Sequence, residues 1–365
     1  MRQAKLPGLV AILIAVGLTL LSPALSAEED TTLTKVPAQI EPINRDVNAI
    51  SPPATISPES KETFTEARPR LVLALSGGAI KSVAEIGVLR SLEQHHIKID
   101  GIVGTSMGAT IGALYCSGVS VDELEAMFLD RSVQSAALKG LFWGAITKPI
   151  APLTYPFKGR PYAGLTDGKG YLEFLEKHLP QRFDQLKIPF AAVVTNISDG
   201  QTSVLAHGDL PKAVLASSCV PTLYRPVKID GKLYVDGGLK ANLPSHIAQS
   251  MGADIVVAVL VDTAVRPEAN KNFKSKKELV LRVMNIMMAS ADKMQARESD
   301  ILIYPNVDFM PWITRDPEML KRGIAAGEEA GNAVAAQIES QLAAVAQNKN
   351  TKVVPAIGST VQVNQ

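Results

Sequence analysis

The sequence predicts an α/β fold with three layers, in which helices cover both faces of a mostly parallel central sheet. The apolar run Leu71–Leu75 leads into a glycine turn at Gly77 and Gly78, a helical pattern follows over residues 83–94, and a second apolar run occupies residues 99–103. Strand, helix and strand in this order are typical of a parallel crossover unit.

The same alternation continues further along the chain. Apolar runs at residues 190–194 and 255–261 predict two more buried strands, and residues 170–178 and 244–251 have helical spacing. Continuous apolar runs are expected of strands that are covered on both faces of a sheet. We therefore expect the sheet to lie between two helical layers.

The composition is that of a globular protein with a well-buried core, since 46% of the 365 residues are hydrophobic and 20% are charged. Lys and Arg number 37 and Asp and Glu number 36, which gives a net charge of +1. Because such a chain has no strong overall field, we expect no nucleic-acid partner, and any membrane-surface contact should be transient, local and apolar.

Residues 1–27 have the layout of a secretory signal peptide. Arg2 and Lys5 precede an apolar run over residues 6–21, and small residues follow up to Ala27. This run is shorter than the roughly 20 residues that a membrane-spanning helix needs. We therefore expect cleavage and export to the periplasm or the medium rather than an uncleaved anchor.

The rest of the chain divides by composition. Residues 28–69 are rich in Pro, Ser, Thr and Glu, which predicts a disordered spacer. We assign residues 70–264 to a catalytic core, residues 265–346 to a helical extension that packs on this core, and residues 347–365 to a disordered tail.

The extension contains two predicted helices. One covers residues 277–296 and is rich in methionine, and the other covers residues 317–346. Methionines at helical spacing more often fill a core than line a lipid groove, so we expect the first helix to be packed.

The sequence has two cysteines, Cys116 and Cys219. They could form a disulfide bond in an exported protein or stay as buried thiols. Neither has the spacing of a metal ligand, so we expect no metal.

The motif Gly104-Thr105-Ser106-Met107-Gly108 lies directly after a predicted strand and before a predicted helix. A nucleophilic serine on such a sharp turn needs small residues at both ends. Together, the motif and its position indicate that Ser106 is a catalytic nucleophile.

A serine hydrolase also needs hydrogen-bond donors for the oxyanion. The turn at Gly77, Gly78 and Ala79 ends the first strand, and its backbone amides are candidates for this role. The alternative is a phosphate-binding loop, but the spacing matches neither the Walker loop nor the dinucleotide fingerprint.

The base that activates Ser106 has two candidates. His246 follows Asp236 in the order seen in hydrolase triads, whereas Asp236 itself ends a short strand and precedes Gly237 and Gly238. A partly buried carboxylate can accept a hydroxyl proton directly. The local pattern leaves both candidates open, and Asp-Gly is also a common turn sequence.

Four ordered blocks resemble the patatin-like phospholipase family, over residues 71 to about 263. They are the glycine turn at residues 75–82, the Ser106 motif, the segment at residues 216–221, and the block at residues 236–244 that begins with Asp236-Gly237-Gly238. The resemblance implies a patatin-like fold and an exported bacterial enzyme that hydrolyses phospholipids or other fatty-acyl esters.

The resemblance further implies a dyad of Ser106 and Asp236 without histidine, metal or cofactor, and it makes His246 a surface residue. The chain keeps the basic position of the glycine turn at Lys81, but it has Ala79 and Ser82 where the family usually has glycine. These departures restrict the backbone at the oxyanion site. A non-catalytic lipid-binding protein is the third alternative.

The segment at residues 138–157 is apolar and rich in proline and glycine, and it contains Phe142 and Trp143. We consider two structures for it: a flap over an acyl-binding cleft that touches lipid, or a packed loop.

Overall fold

The computed structural model describes residues 68–139, 164–261 and 276–352. The predicted signal peptide, nearly all of the spacer and the candidate flap residues Phe142 and Trp143 lie outside these ranges.

The strands are β1 Leu71–Leu75, β2 Gly101–Thr105, β3 Phe190–Asn196, β4 Thr202–Leu205, β5 Val227–Ile229, β6 Lys232–Asp236, β7 Ile255–Val259 and β8 Ile301–Ile303. In the described residues they form an eight-stranded sheet in the order β5-β6-β3-β2-β1-β7-β8, with β4 paired to β3. Strands β1, β2, β3, β7 and β8 are parallel, whereas β4 and β6 run antiparallel to β3 and β5 runs antiparallel to β6. The mostly parallel sheet is therefore confirmed.

Helices connect and cover these strands. In the described ranges they are α1 Val83–Gln94, α2 Met107–Ser117, α3 Val121–Leu129, α4 Ser132–Leu138, α5 Lys169–His178, α6 Leu210–Ser217, α7 Ser245–Ser250, α8 Lys276–Gln295 and α9 Pro317–Lys352. None of these helices is both long and apolar enough to cross a lipid bilayer.

The core lies in two parts, one on each face of the sheet. In β1, Leu71, Leu73 and Leu75 contribute to the larger cluster, while Val72 and Ala74 contribute to the smaller one. Successive side chains of a strand point to opposite faces, so an unbroken apolar run buries itself on both sides. This arrangement confirms the three predicted layers.

The last helix packs closely on the first. A Cβ atom at Gly327 of α9 would lie 1.8 Å from the carbonyl oxygen of Ala84 in α1, so only glycine allows this approach.

The prediction of a disordered tail from residue 347 is wrong for residues 347–352, which continue α9. The ion pair of Lys349 Nζ with Asp254 Oδ2, at 2.6 Å, holds this last turn against the core.

Two other expectations change. Arg68, in the predicted spacer, forms an ion pair with Asp100 beside β1. In α8, Met294 does not fill the core as expected, because its side chain is 70% exposed.

A carboxyl group is buried behind the glycine turn. Glu85 of α1 is completely inaccessible to solvent. Burial raises the pKa of Glu85 well above its ordinary value. Folding therefore favours the neutral form of this group.

We expect Glu85→Gln to stabilise the protein at neutral pH. An acid whose pKa is raised by folding loses stability as the pH rises above its unfolded value of about 4.5. Glutamine has nearly the same shape and does not titrate. Urea denaturation of both proteins between pH 4 and pH 8 should give equal free energies of unfolding at the acid end and a growing advantage for Glu85→Gln above it. Parallel curves would contradict this account.

Candidate active site

The candidate site lies at the carboxyl edge of the sheet, where β1 and β2 end side by side. Leu75 of β1 pairs with Gly104 of β2. This register brings the turn after β1 against the motif after β2, so that a Cβ atom at Gly77 would lie 3.0 Å from the Cβ of Ser106. The first two sequence-predicted parts of the site are therefore neighbours.

Ser106 has a strained backbone. Its φ of 55° and ψ of −121° lie in a region that residues with a side chain rarely adopt. The turn is tight: a Cβ at Gly104 would be 2.6 Å from the carbonyl oxygen of Gly108, and one at Gly108 would be 2.5 Å from that of Ser76. The strand-to-helix turn thus needs both glycines, as the sequence predicts.

Two adjacent serines at the end of α6 hold this strained residue. The backbone amide of Ser106 donates to Ser217 Oγ at 2.9 Å, and Ser217 Oγ donates in turn to the Val193 carbonyl at 2.6 Å. Ser218 Oγ donates to the carbonyl of Ser106 at 3.1 Å. Both backbone groups of Ser106 are therefore fixed from one segment.

The side chain of Asp236 contacts the side chain of Ser106. Strand β6 runs antiparallel to β3 and pairs Asp236 with Val194, which brings its carboxylate to the level of the Ser106 turn. Ser106 Oγ donates to Asp236 Oδ2 at 2.7 Å, and the amide of Gly238 donates to Asp236 Oδ1 at 2.8 Å. Each carboxylate oxygen thus has a defined donor.

The carboxyl of Asp236 is buried, and this burial changes its acidity. Desolvation raises the pKa of Asp236 to about 6, although the hydrogen bonds from Ser106 and Gly238 lower it in part. The neighbouring Gly237 packs against the carbonyl of Val193, where a Cβ atom would come within 2.3 Å. At neutral pH the carboxyl group of Asp236 is mostly ionised, and it accepts protons more readily than that of an ordinary aspartate.

The glycine turn differs from expectation in one respect. The amide of Gly77, expected to face the oxyanion, donates instead to the backbone carbonyl of Asn242 at 3.2 Å. The amides of Gly78 and Ala79 donate to no residue in the described ranges. The candidate donors in this turn are therefore Gly78 and Ala79.

The two departures from the family pattern are not equivalent. Ala79 has a φ of 49°, in the left-handed region that favours glycine, whereas Ser82 has a φ of −61°, which any residue adopts. Lys81 is buried in the short 3-10 helix Ala79–Ser82, which contains both residues. Strain is therefore confined to Ala79.

His246 lies elsewhere. On α7, its ring is 42% exposed, and its Nδ1 atom is 3.6 Å from Glu298 Oε2. No histidine in the described ranges hydrogen-bonds to Ser106.

Both cysteines, Cys116 and Cys219, are buried as free thiols. The described side chains include no cluster of three or more His, Cys, Asp or Glu residues that could hold a metal ion.

Asn242 joins the glycine turn to α8, a link that the sequence does not predict. Its Nδ2 donates to the carbonyl of Gly77 at 3.2 Å and to Asp292 Oδ2 at 3.1 Å. Gln295 accepts from the amide of Leu243 at 2.9 Å and donates to the carbonyl of Lys240 at 3.0 Å. No local motif marks Asp292 or Gln295, since their partners lie about 50 residues away.

Comparison with known proteins finds similarities over the region that contains the site. Residues 73–248 match the family model described as patatin-like phospholipase. Patatin-like phospholipase domain-containing protein 7 of Mus musculus is 30% identical over 207 residues, which are 55% of this chain and 14% of that protein. An uncharacterised NTE family protein of Mycobacterium bovis is 31% identical over 192 residues, or 52% of this chain and 49% of that protein.

The chain thus spans less than half the length of these relatives. Among solved structures, human GIVD cytosolic phospholipase A2 in complex with methyl gamma-linolenyl fluorophosphonate is 12% identical, with a TM-score of 0.46, and the alignment covers 80% of this chain and 61% of that chain.

We expect Ser217→Ala to be more damaging than Ser218→Ala. The first removes the acceptor of the buried Ser106 amide, at a cost of about 1–3 kcal/mol. The second leaves the Ser106 carbonyl with its hydrogen bond from the amide of Thr110, at 3.2 Å. Chemical denaturation of the two variants measures the difference, and an equal loss in both would contradict the assigned roles.

Glycine substitutions at Ala79 and Ser82 should have different effects on the stability of the protein. Ala79→Gly relieves a left-handed conformation that costs about 1–2 kcal/mol, which offsets the greater chain entropy of glycine. Ser82→Gly brings the entropic loss, about 0.5–1 kcal/mol, without any relief of strain, and it also removes a buried hydroxyl that donates to the carbonyl of Ser76 at 3.4 Å. Thermal unfolding should therefore place Ala79→Gly above Ser82→Gly. The reverse order would show that Ala79 is not strained.

Proposed function

We propose that the protein is a serine lipid-acyl hydrolase of the patatin-like phospholipase family, whose model residues 73–248 match. It cleaves ester-linked acyl chains of phospholipids, lysophospholipids or similar esters through an acyl-Ser106 intermediate, with Asp236 as the base.

The observation that carries this proposal is the hydrogen bond of 2.7 Å from Ser106 Oγ to Asp236 Oδ2. A nucleophile and a base must lie within hydrogen-bond reach of each other, and the base must be ionised at the working pH while still accepting a proton readily. Asp236, with a pKa raised by burial to about 6, meets both conditions.

In the first half of the reaction, Ser106 Oγ attacks the ester carbonyl carbon while Asp236 Oδ2 accepts the hydroxyl proton. Negative charge then develops on the carbonyl oxygen. Three amides support this charge: those of Gly78 and Ala79, and that of Met107 at the amino end of α2, where the helix dipole adds to their effect. Collapse of the tetrahedral intermediate breaks the ester bond, and the leaving alcohol takes the proton from Asp236.

In the second half, a water molecule attacks the acyl-Ser106 ester and Asp236 accepts its proton. The second tetrahedral intermediate releases the fatty acid, and the proton returns to Ser106 Oγ. The hydrogen bond from the Gly238 amide to Asp236 Oδ1, at 2.8 Å, keeps Oδ2 directed at the serine in both halves.

Variants of the two candidate bases test the dyad. We expect Asp236→Ala to lower kcat on a phospholipid by about 10²–10⁴-fold, the usual contribution of a general base. His246→Ala should keep wild-type activity, because the structure pairs His246 with Glu298. Turnover of defined phospholipids, with fatty acid and lysophospholipid measured by mass spectrometry, gives both the rates and the acyl position that is attacked.

Ser106→Ala is the matched control for the nucleophile, since it removes only the attacking oxygen. It should release no fatty acid and should take no label from a fluorophosphonate probe that modifies the wild-type protein. A wild-type protein that neither hydrolyses lipid nor takes the label would overturn the proposed function in favour of a non-catalytic lipid-binding protein.

A further inference from the structure

The peptide group between Gly77 and Gly78 contains one of the candidate oxyanion donors. Its carbonyl belongs to Gly77 and its N–H to Gly78, and the bond between them is trans. In a trans peptide group the C=O and N–H bonds point in opposite directions, so a partner that holds the carbonyl also sets the direction of the N–H. The direction of the Gly78 amide therefore depends on what binds the Gly77 carbonyl.

Asn242 holds the Gly77 carbonyl. Its side-chain Nδ2 donates to this oxygen at 3.2 Å, and its backbone carbonyl accepts from the Gly77 amide, also at 3.2 Å. The Gly78 amide then points away from the Asn242 side chain, and it donates to no residue in the described ranges. This amide therefore stays available to the oxyanion.

The Ala79 amide is oriented in another way. It shares its peptide group with the Gly78 carbonyl, which accepts from the amide of Lys81 at 3.1 Å. A local turn of the backbone thus fixes this second donor, whereas the first depends on a side chain 165 residues further along the chain. Because Gly77 and Gly78 have no Cβ, their own conformational preferences do not prevent the peptide group between them from turning over.

Asp292 of α8 fixes the side-chain amide of Asn242. Asp292 Oδ2 accepts from Asn242 Nδ2 at 3.1 Å, and the two residues are 0% and 1% exposed. An amide nitrogen has two hydrogens, one for each of its two acceptors here. If the amide turned over, its oxygen would face the oxygens of Asp292 and Gly77. These two acceptors therefore determine that the nitrogen faces them.

Loss of the Asp292 carboxyl would leave an N–H of Asn242 buried without its acceptor. A buried donor without an acceptor is unfavourable, and the amide relieves this by rotating towards another partner. Such a rotation weakens its hydrogen bond to the Gly77 carbonyl. The peptide group between Gly77 and Gly78 then loses its fixed direction, so the contact at Asp292 affects the oxyanion donor through Asn242.

We propose that Asp292, acting through Asn242, is a positioning residue for the oxyanion donor at Gly78. The inference rests on the proposed function, because it concerns the negative charge that develops during acyl transfer. Asp292 lies on α8, outside residues 73–248, which match the family model. A helix beyond the matched region thus sets the geometry of the candidate site.

Asp292→Leu tests the positioning role, since leucine has a similar size and accepts no hydrogen bond. On a soluble short-chain ester we expect kcat to fall about 10–100-fold, less than the roughly 10²–10³-fold that follows removal of an oxyanion donor, with little change in KM. Inhibition by a trifluoromethyl ketone, which forms an oxyanion when Ser106 adds to it, should weaken by the same factor as kcat. Titration of active sites with a fluorophosphonate corrects both values for unfolded protein.

Two further variants separate positioning from support of the fold. Asp292→Asn keeps an acceptor oxygen and should retain most of the parental kcat. Gln295 is also buried on α8, but it binds the backbone of Lys240 and Leu243. Gln295→Ala should lower the free energy of unfolding in urea and leave kcat and ketone inhibition close to parental. An equal loss of kcat in Gln295→Ala, or parental kcat in Asp292→Leu, would overturn the proposal.

Asn242→Ala removes the same contact from its other end, and it keeps the proposal testable if Asp292→Leu does not fold. It should lower kcat at least as much as Asp292→Leu, and parental kcat in this variant would overturn the proposal. Because Asp292 acts through Asn242, the double variant should be no slower than Asn242→Ala. Losses that multiply in the double variant would show that Asp292 acts by another route.

Crystal structures of the parent protein and of Asp292→Leu distinguish this proposal from the proposed function, because they need no turnover. We expect the Gly77 carbonyl to have lost its contact with Asn242 in the variant. The same peptide orientation in both proteins would overturn the positioning role. A parent protein that hydrolyses no ester, with the peptide group turned only in the variant, would refute the proposed function alone.

Discussion

The hydrogen bond between Ser106 and Asp236 joins two turns that are 130 residues apart in the chain, and the rest of the fold has to hold both turns still. The parallel pair β1 and β2 supplies one turn, and the antiparallel strand β6 supplies the other. A strained serine keeps its geometry only when the surrounding structure fixes it. Here Ser217 and Ser218 fix its amide and its carbonyl.

The region beyond the family match also contributes to this arrangement. Helix α8 lies outside residues 73–248, yet Asp292 and Gln295 hold the segment around Asn242, which in turn contacts Gly77. One helix therefore supports the glycine turn from outside the matched region.

The sequence predicted what local patterns encode. The bounds of β1 and α1 were correct because an unbroken apolar run and a helical period are visible in a few residues. The meeting of Ser106 and Asp236 was foreseen from the resemblance. The sequence did not predict the hydrogen bond from the Gly77 amide to the Asn242 carbonyl, the positions of Ser217 and Asp292, or the end of α9. Each of these depends on contacts between distant segments.

The central claim is that Asp236 alone deprotonates Ser106. The rate at which a fluorophosphonate labels Ser106, measured against pH, tests it most directly. Since the base must be ionised, the rate should rise with pH through a midpoint near 6, the pKa of Asp236. The same profile is expected in His246→Ala, and Asp236→Asn should label far more slowly at every pH. A midpoint that disappears in His246→Ala, or wild-type labelling of Asp236→Asn, would contradict the account.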